Sequence, residues 1–154
     1  MSILKRLAAA LVLLSSLLGA AAVQAEDLLM VRSRQAFPEA MITLQNSIGD
    51  HGFTLSRVQR VDIGLTKSGF KTDKYRVVFF GNDAEIKRLT AKHPELIPYL
   101  PLKMAIFAEE QETLVIAANP ANYERFFPSP DLKPVFQKWE REMRAIKDDV
   151  RKAE

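Results

Sequence analysis

Apolar positions recur along the chain with two periods, and each period points to an element. Residues 28–31, Leu-Leu-Met-Val, form a short apolar run suited to a first strand. Phe37, Met41, Leu44 and Ile48 then fall at i, i+4, i+7 and i+11, one stripe along a helix. Pro38 fits the start of that helix, where its missing N–H costs nothing. Gly52, after Asp50-His51, suits the left-handed position just past its end. Residues 53–63 alternate as a long strand whose phase slips between Leu55 and Val58, the mark of a bulge or bend. Residues 75–80, Tyr-Arg-Val-Val-Phe-Phe, are apolar on almost both faces, which predicts a central strand.

Further on, Gly81-Asn82-Asp83-Ala84-Glu85 opens a helix, with Asn82 as its cap and Glu85 at the third position of a capping box. Ile86, Leu89 and His93 continue one face until Pro94. Residues 102–108 and 113–118 form two strands joined by the acidic turn Glu109-Glu110-Gln111-Glu112, a β-hairpin. Prolines at 120, 128, 130 and 134 then break the chain into turns. The last helix spans residues 133–151, with Val135, Phe136, Trp139, Met143, Ile146 and Val150 on its apolar face. The order β-α-β-β-α-β-β plus a long C-terminal helix predicts an α+β fold. It is a two-layer domain with a mainly antiparallel sheet and helices on one face.

The first 25 residues stand apart from this pattern. Lys5 and Arg6 precede the apolar residues 7–18, and a small-residue segment ends in Val23-Gln24-Ala25. That is the form of a secretory signal, cleaved after Ala25, with Ala22 as the second choice. The apolar run reaches Val23 at most, at the bottom of the roughly 17–25 residues that cross a bilayer. The expectation is a periplasmic domain, residues 26–154, with no membrane contact once the signal is removed. The segment carries both signal cations and no acid, so the chain's net charge of +3 falls to +1. A nearly neutral domain is a poor match for nucleic acid, where clustered cations supply most of the affinity. Cysteine is absent, which removes disulfides, thiol catalysis and thiolate metal ligands together.

Several of these runs have a familiar order. Tyr75-Arg76-Val77-Val78-Phe79-Phe80-Gly81-Asn82 is followed by Pro94-Glu95-Leu96, Leu100-Pro101-Leu102-Lys103 and Thr113-Leu114-Val115-Ile116. Together with His51-Gly52-Phe53-Thr54 upstream, the combination resembles the domain of unknown function 302 family across roughly residues 29–120. The resemblance implies a small α/β domain, dimeric in some members, and carries no catalytic residue. On this likeness the C-terminal helix and residues 67–71 look like additions to the common pattern.

Candidate chemistry is sparse. His51 and His93 each close a helix, where a cationic ring is favoured by the dipole. Neither has the histidine or carboxylate spacing of a metal motif, so no metal or other cofactor is expected. Met30, Met41, Met104 and Met143 fall on apolar faces and are expected as core filler. Ser56, Ser68, Thr72 and Ser129 lack a nucleophile elbow. Glu109, Glu110 and Glu112 are expected as a solvated tip. The segment from Lys67 to Lys74 is the strongest binding candidate: Lys67, Phe70 and Lys71 would present an aromatic between cations on a loop. The functional expectation is a non-catalytic binding or interaction module, a homodimer through a sheet edge or the C-terminal helix. The alternatives are an enzyme built from ordinary polar residues and a carrier of a small hydrophobic ligand between sheet and helices.

Overall fold

Strict alternation opens the fold. Along β1, Leu28–Ser33, residues Leu29, Val31 and Ser33 are buried while Leu28, Met30 and Arg32 are exposed. The computed structural model describes residues 27–153, so the expected signal segment and its cleavage point lie outside the described residues. Helix α1, Phe37–Asp50, buries Phe37, Ala40, Leu44 and Ile48 as its stripe requires, with Pro38 in the first turn. Its end is a Schellman motif: Gly52, at φ +77°, donates to Gly49 O, and Phe53 donates to Ile48 O.

Strand β2 is Thr54–Arg60, with the expected register shift between Leu55 and Arg57. It is shorter than the sequence predicts. Residues Val61–Lys67 turn into helix α2 instead of extending the strand to Ile63. Val61, Ile63 and Leu65 keep a period of two, which hid the helix. Asp62 in its first turn is held by Arg76, and that bond lowers its pKa below the usual carboxylate range.

Strand β3, Tyr75–Gly81, leads into helix α3, Asp83–Lys92, capped by Asn82, whose Oδ1 accepts from Glu85 N–H at 3.0 Å. A 3₁₀ segment, Pro94–Tyr99, precedes β4, Leu102–Glu109. A tight turn joins β4 to β5, Glu112–Ala118, with Glu110 at φ +47°. A second 3₁₀ segment, Pro120–Arg125, leads to helix α4, Lys133–Lys152. The sheet order is β1-β5-β4-β3-β2, every neighbour antiparallel. The predicted central strand β3 is therefore interior, and β4 holds the middle.

The two-layer α+β architecture follows from one packed core. Leu29, Val31, Val78, Phe80, Met104, Ile106 and Val115 from the sheet meet Leu44 and Ile48 of α1 and Phe136, Trp139, Met143 and Ile146 of α4. Trp139 is 1% exposed and its ring N–H donates to Glu85 at 2.9 Å. Glu85 thus departs from the capping-box role expected of it: its carboxylate reaches across to Trp139 and Lys138 and ties α3 to α4. Met104 and Met143 are core residues as expected and Met41 packs against the core, but Met30 is 43% exposed. Met30 lies on the other side of β1, where no helix packs.

A candidate binding site on the uncovered sheet face

Antiparallel partners project to the same side of a sheet, so the register assigns every strand residue to a face. Opposite the core, Met30 pairs with Ile116, Ile116 with Ala105, Ala105 with Val77, and Val77 with Gln59. A parallel row runs Arg32, Leu114, Phe107 and Tyr75. A third joins Lys103 to Phe79 and Phe79 to Arg57. This face is apolar over most of its extent, yet its central position is a small residue. Ala105 sits on the middle strand, with Ala118 beside Leu28 at the β1 edge.

A small residue at the centre and large ones around it make a trough. It is an open depression of about 440 Å³, lined by Leu28, Val61, Tyr75, Val77, Phe79 and Ile116, with Gln59 and Lys103 as its long polar side chains. That volume lies in the roughly 300–1,000 Å³ range of small-molecule sites. Among the described residues no carboxylate lines it. Toward the β4–β5 turn, an Arg32–Glu109 ion pair of 2.8 Å spans β5, where Leu114 is only 5% exposed. The edge-to-face contact of Tyr75 with Phe107 stiffens the same end.

The residues singled out from the sequence lie elsewhere. Lys67 ends α2 and borders a shallow hollow with Asp62, Thr66, Asp73 and Lys74, while Phe70 is 63% exposed and Lys71 is exposed. None of the three lines the trough. The unbroken apolar run of β3, Val77 to Phe80, was the signal that could have found it. Val77 and Phe79 are as apolar as Val78 and Phe80, which a strand with one solvated face does not need.

Both histidines are held between carboxylates. His51 meets Glu142 at 2.9 Å and Asp149 at 3.1 Å; His93 meets Glu95 at 3.2 Å and Asp131 at 2.9 Å. For His51, desolvation is the largest influence and lowers the pKa, but the hydrogen bonds to Glu142 and Asp149 together outweigh it and the pKa rises. For His93 the Asp131 hydrogen bond dominates and also raises it. Asp131 is pushed below the usual carboxylate range by Lys92, Ser129 and His93. Among the described residues no group of three or more histidine or acidic side chains is placed to hold a metal ion.

Each histidine also shares an acid with a serine. Ser47 donates to Asp149 at 2.7 Å, and Ser129 donates to Asp131. The carboxylate stands between hydroxyl and imidazole, whereas a nucleophile needs the base beside the hydroxyl. These chains clamp α1 and the segment before α4 in place; they do not activate serine. Ser56, Ser68 and Thr72 spend their hydroxyls on nearby carbonyls.

Residues 29–150 match the family described as domain of unknown function DUF302. The chain belongs to the DUF302 family. The match extends through α4, so the C-terminal helix, expected as an addition, lies within the family's pattern. A crystal structure of an uncharacterised conserved DUF302 protein from Bacillus stearothermophilus is similar, with a TM-score of 0.75 at 20% identity. The likeness covers 82% of this chain and 100% of that one, and it carries the DUF302 fold alone. No curated protein matches.

Proposed function

We propose that this DUF302 protein is an exported, non-catalytic binding module whose working surface is the uncovered face of its sheet. One observation carries the reading: the face opposite the core is apolar and concave and, among the described residues, has no covering layer. Leu28 is 47% exposed, and the floor of Ala105, Val77 and Ile116 is half-exposed. A solvated antiparallel face normally carries polar residues, and contiguous apolar surface marks a place where something binds. The carrier reading set the ligand between sheet and helices; the packed core there makes the outer face the better place.

The export reading rests on the N-terminal sequence pattern and makes the periplasm the working compartment. A homodimer is compatible, joined at β2, an edge strand exposed at every residue. The apolar face of α4 is buried in its own core and offers a second copy little. The test is native mass spectrometry of protein recovered from the periplasm, with N-terminal sequencing of the same sample. The expected result is a chain beginning at Glu26 and carrying a non-covalent adduct that Ala105→Phe removes without unfolding the domain. An adduct indifferent to Ala105→Phe, or no adduct at all, would contradict the binding face. An intact Met1 would contradict export.

A further inference from the structure

Accepting the uncovered face as the binding surface, we infer that its trough takes a single-chain amphipathic carboxylate, apolar body on the floor and anionic head at Lys103. Among the described residues Lys103 is the cation that lines the trough, it is exposed, and it forms no ion pair. Arg57 stands in the same row with Phe79 between them, and it too forms no ion pair among the described residues. Adjacent strands are roughly 4.8 Å apart, so the two cations sit about 10 Å apart at the backbone. Arg32, Arg76 and Lys92 are matched by Glu109, Asp62 and Asp131; what sets Lys103 and Arg57 apart from other exposed cations is their place in one row beside the apolar floor.

Two cations flanking an aromatic, at one end of an apolar trough with no acid among its described lining residues, complement a molecule with one anionic end and a hydrocarbon body. An uncharged ligand would gain at most a hydrogen bond from Lys103, less than a charge-assisted one, and a cationic one would be repelled. A carboxylate at the mouth would meet the ammonium at partly desolvated range, where an ion pair is worth more than in bulk water. The chain would lie over Val77, Ala105 and Ile116. Ala105 matters because any larger residue on the middle strand would fill the space.

Calorimetric titration of the purified protein with decanoate, decanol and decyltrimethylammonium, each below its micellar concentration, tests this. Decanoate should bind about tenfold or more tightly than decanol, a difference of about 1.4 kcal/mol, and the cation should not bind. Lys103→Met, which keeps the apolar stem, should bring decanoate down to the level of decanol, whereas Lys103→Arg should retain the preference. Arg57→Gln should cost less, about threefold. Ala105→Phe should abolish both. Equal affinity for decanoate and decanol, or a Lys103→Met variant that keeps the preference, overturns the carboxylate assignment. Binding to anionic phospholipid vesicles with none to free decanoate also overturns it, in favour of a membrane surface. Where all three probes fail but Ala105→Phe still removes the native adduct, the ligand class falls and the binding face stands. Where the adduct is also indifferent, both fall.

Discussion

The two faces of one sheet are built from the same strands and differ in what they lack. Toward α1 and α4, β3 and β4 present Val78, Phe80, Leu102, Met104 and Ile106, all buried. On the other side the same strands present Tyr75, Val77, Phe79, Ala105 and Phe107, nearly as apolar and all half-exposed. On the first face the helices supply partner atoms for every side chain. On the second, the alanine of the middle strand leaves a hollow instead. Apolar character without a covering layer reduces stability and solubility, so its presence here argues for a use that stability does not explain.

Adjacent residues of β3 give the largest test of that contrast. Phe80→Ala should cost roughly 3–5 kcal/mol, the usual loss for a buried aromatic with its cavity. Phe79→Ala should cost only about 1–2 kcal/mol, because part of its surface already meets water. Denaturant melts of the two variants check this, and similar losses would mean that something in the folded protein covers the outer face.

A smaller effect belongs to the clamp between α1 and α4. His51 has a folded pKa raised above its unfolded value of about 6.5. Its stabilising contribution is therefore complete below that unfolded value and is lost as pH rises through the folded one. The gap between wild type and His51→Gln should be widest near pH 5.5, roughly 1 kcal/mol or less for a part-exposed pair, and should close on the alkaline side. Melting curves from pH 5.5 to 8.5 measure it. A gap that widens with pH would show that the ring works in its neutral form.

The smallest effect should come from the cationic segment at the end of α2. Lys67→Ala with Lys71→Ala should leave stability within roughly 0.5 kcal/mol, as exposed sites do, and decanoate affinity unchanged. A melt and one titration suffice. A loss of affinity in this variant would move the site to the loop.

How much of this was legible in the sequence follows the physics of each element. The stripe of α1, the Gly52 terminus, the bulge after Leu55, the acidic hairpin and the apolar face of α4 all come from local periodicity or backbone chemistry, and the structure has them. Helix α2 was missed because Val61, Ile63 and Leu65 keep a strand's spacing. Glu85 was assigned to its own helix because its bond to Trp139 joins residues 54 positions apart. The trough was missed for a related reason. The row Arg57-Phe79-Lys103 exists only through the register of three strands, and nothing local distinguishes Lys103 from any surface lysine. An exposed Phe70 between two lysines was conspicuous in sequence, but the fold leaves it outside the concave face.

The measurement that bears most directly on the uncovered face is a chemical-shift map of backbone amides during decanoate titration. Movement should centre on Val77, Phe79, Lys103, Ala105 and Ile116, with residues 67–71 and the buried face of α4 unmoved. Shifts confined to residues 67–74, or spread through α1 and α4 with the trough silent, would contradict the binding face.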